Sequence, residues 1–215
     1  MFIRTLIEDP FLASWWLLVV VFSICLHEYG HALMAKLQGD TTAEEMGHLT
    51  LNPLKQMGVT SLITLFLIGF AWGAVPVNPA RMKHRYSRTL VALAGVSMNL
   101  LLFLLFVIAT VFCIKFLNSE SAAGLMSLGA LLNIMLMMFN LLPIPPLDGF
   151  TALTSAFPSL GERLARSAGK ESYAGITLFL FVGTLMLGMK YLVAVAQFLT
   201  ELAIGGLLMI LGGGA

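Results

Sequence analysis

His27-Glu28-Tyr29-Gly30-His31 lies near the end of an apolar run that begins at Phe11, and it limits the fold more than any other stretch. In hydrocarbon every backbone polar group must be satisfied within the protein, so a run of this length is a helix. Two imidazoles and a carboxylate at that depth are costly unless partners meet them, so further helices must pack around this one. Residues i and i+4 share a helix face, which lets His27 and His31 reach one Zn²⁺. Glu28, about 100° around the helix, can then address water at the metal. The pattern points to metal-assisted hydrolysis inside a membrane.

Of the 215 residues, 59% are hydrophobic and 11% charged, against about 25% charged in soluble domains. The expected class is an all-α polytopic membrane protein. A net charge of +1 excludes broad electrostatic binding of nucleic acid, so the positions of Lys and Arg carry the information. Arg4 is followed by Glu8, Asp9 and Pro10 with no small-residue cleavage site, so the first apolar run is expected to persist in the mature protein. Cys25 and Cys113 form no pair motif. Cys25 is about 200° around the helix from His27 and reads as a packed thiol.

Residues 11–37 span about 40 Å as a helix, against a hydrocarbon core of about 30 Å. Residues 89–116 and 122–142 are also long enough to cross. Residues 59–74 reach only about 24 Å and end among Gly73, Pro76 and Pro79, which predicts a re-entrant element. Parity agrees, because a full crossing there would put Asp148 on the opposite face from the histidines. Arg81, Lys83, Arg85 and Arg88 precede one crossing, and Arg163, Arg166 and Lys170 follow another. The 118–122 turn has no Lys or Arg, so the basic loops are assigned to the cytosol and the site is expected to open there. Residues 173–189 are a marginal crossing, and residues 191–211, after Lys190, either cross back or lie against the bundle; one or two C-terminal helices are expected, with two crossings favoured. A single domain over 1–215 is expected, with its core at about 11–149 and C-terminal helices at about 172–211.

Asn140-Leu141-Leu142-Pro143-Ile144-Pro145-Pro146-Leu147-Asp148-Gly149 ends an apolar helix with three prolines and a carboxylate. Irregular backbone at membrane depth is tolerated where it lines a protein-enclosed or watery cavity. Catalytic zinc needs a third protein ligand, for which Asp148 is the best candidate; a plain Asp-Gly turn is the competing reading. Glu162, Glu171 and Glu201 are the later carboxylates, and none adjoins such a break. Asn99 and Asn140 are candidates to hold substrate backbone or orient water at the metal, or simply to bridge helices. Residues 48–52 alternate polar and apolar, predicting either an edge strand whose Leu49, Thr50 and Leu51 pair with unwound substrate or a short structural β-hairpin covering the cytosolic mouth. His48 and His84 are not assigned to the metal.

These residues carry a family resemblance. His27 to His31 followed by Asn140 to Gly149 resembles the site-2 protease family of intramembrane zinc metalloproteases. The likeness extends through Gly47-His48-Leu49-Thr50-Leu51-Asn52-Pro53, Pro76-Val77-Asn78-Pro79 and Ala94-Gly95-Val96-Ser97-Met98-Asn99. It implies one zinc held by His27, His31 and Asp148, Glu28 as the base that activates water, and a three-helix catalytic core. It also implies a transmembrane protein substrate cut in regulated intramembrane proteolysis, a lipid-bilayer setting and a prokaryotic plasma membrane. Relatives commonly have Pro at Val96, Arg at His48 and a His-Ile-Asp-Pro-like run at Lys55-Gln56-Met57-Gly58. These departures bear on loop geometry and substrate preference. No PDZ or CBS domain is expected in this length. The rival class is a non-proteolytic zinc-binding scaffold or metal transporter, although such a site has no need of Glu28.

Overall fold

The computed structural model describes residues 8–168 and 170–212, with side chains 164–174 set aside. Arg4 falls outside them, as do the side chains of Arg166, Lys170 and Glu171. Among the described residues, four helices are long and apolar enough to cross a membrane.

Helix α1 (Pro10–Leu37) starts where Asp9 accepts from the Leu12 amide at 2.9 Å, with Pro10 in the first turn. A short helical turn, Pro53–Gln56, leads into α2 (Gly58–Ile68), which ends at Gly69 with φ 75°. Helices α3 (Ser87–Lys115) and α4 (Glu120–Asn140) form the antiparallel pair that α1 packs against. Trp15 Nε1 donates to the Leu125 carbonyl at 2.8 Å, tying α1 to α4. Gly30 permits close approach of α1 to α3, where a Cβ would meet Met98 and the Ala94 carbonyl. Helix α5 (Asp148–Ala156) follows the proline-rich break and packs on α3, and α6 (Pro158–Ala168) comes after it.

The re-entrant reading of 59–74 agrees with the backbone. Chain returning from α2 lies along it: the Trp72 amide donates to Ser61 Oγ at 2.9 Å, and Ser61 Oγ donates to the Trp72 carbonyl at 2.7 Å. The Ala74 amide donates to the Gln56 carbonyl at 3.0 Å, so the two ends of the element meet. The same level holds the end of α1 and the start of α3. Asp40 accepts from the Asn78 amide, and Gln38 accepts from the Lys83 amide through its carbonyl and from Ser87 Oγ through its side chain.

Two expectations are corrected. No strand occurs among the described residues, so there is no β-hairpin at 48–52. Buried Gln56 takes the carbonyls that a strand would use, donating through Nε2 to His48 at 2.9 Å and Thr50 at 2.6 Å, and Asn52 caps the next helical turn. Nor does the chain turn back at Lys190. Helix α7 runs from Lys170–Gly183 through a π-helical turn, Thr184–Gly188, into Met189–Gly212. No proline interrupts it, and Lys190 settles over the Tyr191 ring at 4.8 Å. Gly212 ends beside Lys115 at the far end of α3. Ala196 and Thr200 are buried against the bundle, with Phe103, Val107, Ala130 and Ile134 in the same apolar cluster as Ala196.

Candidate metal centre

Helical spacing brings His27 and His31 onto the face of α1 that meets α3, with Nε2 atoms 3.0 Å apart. Asp148, in the first turn of α5, reaches the same point because the break after α4 redirects the chain and Gly149 tucks against the Leu141 carbonyl, where a Cβ would collide. Asp148 Oδ2 lies 3.0 Å from His27 Nε2 and 3.3 Å from His31 Nε2. The three ligand atoms fall within 4.8 Å of one another.

The other ring nitrogens explain what this cluster is suited to hold. His27 Nδ1 meets Asn99 Oδ1 at 2.6 Å, and His31 Nδ1 meets the Val91 carbonyl at 2.7 Å. Both partners are acceptors, so each Nδ1 carries the proton and each Nε2 presents a lone pair. Asp148 Oδ2 is buried without a hydrogen-bond partner despite its proximity to both rings. Three electron-rich atoms converging at this spacing repel one another unless a cation joins them, so the donor set fits a divalent metal that takes nitrogen and oxygen. Gly95 makes room: a Cβ there would overlap both Nε2 atoms.

Glu28 is buried beside this group, its carboxylate packed on Gly73, where a Cβ would collide with it. The residues open into a cavity of about 650 Å³. Its walls include the return segment from Phe70 to Val77, the α4 residues Phe139 and Asn140, and Phe181, Leu185 and Met189 of α7. The element read as 59–74 therefore forms a wall of the chamber.

Asn99 is fully buried and engaged at both ends of its amide, accepting from His27 and donating to Asn133 Oδ1 at 3.3 Å; Asn133 in turn donates to the Gly129 carbonyl at 2.9 Å. Asn140 lines the cavity and donates back to Leu136 at 3.1 Å. Leu49, Thr50 and Leu51 lie outside the cavity lining. His84 is exposed, and neither it nor His48 joins the cluster. Cys25 packs with Val19, Val20 and Ile24. Sequence reasoning passed over Asn133, Gln56 and Asp40. A polar residue in an apolar helix was the available signal for Asn133, whereas nothing local marks the other two.

The model of the family described as Peptidase family M50 matches residues 15–124 and 114–184. "Putative zinc metalloprotease YwhC" of Bacillus subtilis is 37% identical over 174 residues, covering 77% of this chain and 78% of the relative. "Putative zinc metalloprotease Rip2" of Mycolicibacterium smegmatis is 37% identical over 174 residues, 78% of this chain and 64% of its own length. The protein of that name in Mycobacterium tuberculosis is 40% identical over 138 residues, and the match spans 52% of its length. No solved structure matches. Between them the two family spans take in His27, Glu28, His31 and Asp148, and this chain belongs to peptidase family M50.

Proposed function

We propose that this protein is a zinc-dependent endopeptidase that cuts transmembrane segments of other membrane proteins, in regulated intramembrane proteolysis. The observation that carries this reading is the convergence of His27 Nε2, His31 Nε2 and Asp148 Oδ2 beside a buried Glu28 at membrane depth. Those three atoms would hold one zinc. When bound, zinc supplies the Lewis acidity that makes water a nucleophile near neutral pH and polarises a carbonyl. The Glu28 carboxylate takes the proton from the attacking water and returns it to the nitrogen of the departing chain. Asn99 and the Val91 carbonyl fix the tautomers and orientations of the two rings.

A helical substrate hides its carbonyls, so it must unwind before attack. The return segment is the extended surface that receives it. Trp72 and Ala74 spend their amides on Ser61 and Gln56, whereas Gly73 and Val75, which alternate with them, make no backbone hydrogen bond with a described residue. Those groups form an edge along the cavity that an extended substrate can pair with. The basic loops support a chamber mouth on the cytosolic side of the membrane.

The test is zinc content measured beside cleavage of a transmembrane substrate by purified protein in vesicles. Glu28→Gln should keep zinc and lose at least about 100-fold in rate; Asp148→Ala should lose both. A Glu28→Gln variant as active as wild type would exclude the peptidase assignment, and full zinc occupancy in Asp148→Ala would exclude that ligand.

A further inference from the structure

The cations on the loops beside the chamber differ in what surrounds them. Arg81 pairs with Glu45 at 2.8 Å, Lys36 pairs with Glu44 at 2.6 Å, the Lys83 stem packs over Gly39, and Arg85 lies over the Tyr86 ring at 5.3 Å. Arg88 differs. It is the one Lys or Arg among the described residues lining the cavity that holds Glu28 and Asp148, and like Lys83 it makes no ion pair or side-chain hydrogen bond with a described residue.

Its position is fixed by the helix it stands on. Arg88, Val91, Ala92, Gly95 and Asn99 follow the spacing of a single face of α3. Gly95 abuts the two Nε2 atoms, and Arg88 precedes it by two turns, about 10 Å toward the basic loops. An extended chain advances about 3.3 Å per residue, so this separation corresponds to about three residues of an unwound substrate.

Resting on the peptidase reading, we propose that Arg88 is a specificity-determining residue that binds an acidic side chain of the substrate about two to five residues from the scissile bond, on the side of the basic loops. A guanidinium never loses its charge near neutral pH and presents a fork that matches a carboxylate. Arg88 is exposed at the rim of the cavity, so its pairing with a carboxylate is open to water and weakens with added salt. Arg85 lies outside the cavity, over the Tyr86 ring, whereas Arg88 shares the cavity with Glu28 and Asp148, which is why a peptide carboxylate is the ligand assigned to Arg88.

The experiment uses the zinc-loaded full chain in vesicles and single-span peptides that share one helix-breaking Gly-Gly site and differ only in Asp, Asn or Lys about three residues to its loop side. The readout is the ratio of kcat/KM values between peptides, which an overall loss of active protein does not change. Wild type should favour Asp over Asn by about three- to fivefold, the scale of an ion pair at an exposed guanidinium. Arg88→Lys should keep a preference, Arg88→Gln should bring the ratio to about one, and Arg88→Glu should turn it toward the Lys peptide. Cleavage without a charge preference, or a preference that survives Arg88→Gln, overturns the role of Arg88 and leaves the peptidase reading standing. So does an effect of Arg88→Gln that tracks the anionic lipid content of the vesicles and not the peptide. Absence of Glu28-dependent cleavage of every peptide overturns both.

Discussion

Asn99 Oδ1 stands 2.6 Å from His27 Nδ1. The contact makes a residue in the middle of α3 responsible for which nitrogen of an α1 histidine faces the metal position. Asn99→Ala should lower zinc affinity by roughly 10- to 100-fold, the usual cost of losing such a partner. Asn99→Asp, which keeps the acceptor and gives up the donor to Asn133, should retain more. Zinc titration of the two purified variants checks this; equal affinities in Asn99→Ala and wild type would remove Asn99 from this role.

Gly95 and Gly73 crowd different parts of the site, so their alanine variants should fail differently. A Cβ on Gly95 overlaps both Nε2 atoms and should deplete zinc. A Cβ on Gly73 displaces the Glu28 carboxylate and should leave zinc in place while cleavage falls. Each overpacking should also cost about 1–3 kcal/mol of stability. Zinc per chain and cleavage rate, measured on the same preparations, separate the two.

Asp40 links the end of α1 to the return segment, accepting from the Thr42 amide at 3.0 Å, from Thr42 Oγ1 and from the Asn78 amide. Burial raises its pKa, but these hydrogen bonds and nearby Arg81 outweigh burial and hold the carboxyl below its ordinary value. A depressed pKa stabilises the fold fully above the unfolded value of about 3.9, and that contribution is lost as pH falls through the lower folded value. Asp40→Asn should therefore lower thermal stability at pH 7, bring it closer to wild type in strong acid, slow cleavage and leave zinc content unchanged. Thermal unfolding followed across that pH range is the measurement.

Cys25 and Cys113 are both buried, which leaves a quiet background for single-cysteine labelling. Cysteines at Gly47 and Arg85 should react from one side of the membrane, the cytosolic one, and cysteines at Ser119 and Gly212 from the other. Opposite sides for Gly47 and Arg85 would refute the re-entrant path, and a shared side for Arg85 and Gly212 would refute a single crossing by α7.

The sequence determined the pieces that depend on local spacing. The i, i+4 histidines of α1, the lengths of α1, α3 and α4, and the break that stops α4 at Asn140 are all set by periodicity and by proline. The parity of crossings called for the chain to double back over 59–74, and the Gln56–Ala74 hydrogen bond joins the two ends of that element.

Tertiary structure decided what depends on partners distant in the chain. The strand expected at 48–52 gives way because Gln56 captures its carbonyls, an outcome alternation of polar and apolar residues cannot foresee. The apparent stop at Lys190 disappears because a lysine can settle over a neighbouring tyrosine while the helix continues and its far half packs on the bundle. Asn99, read as a candidate to hold substrate, orient water or bridge helices, meets its partner 72 positions away at His27. Local pattern sets where helices begin, end and carry metal-binding groups; the direction in which each buried polar group spends its hydrogen bonds is settled only when the helices meet.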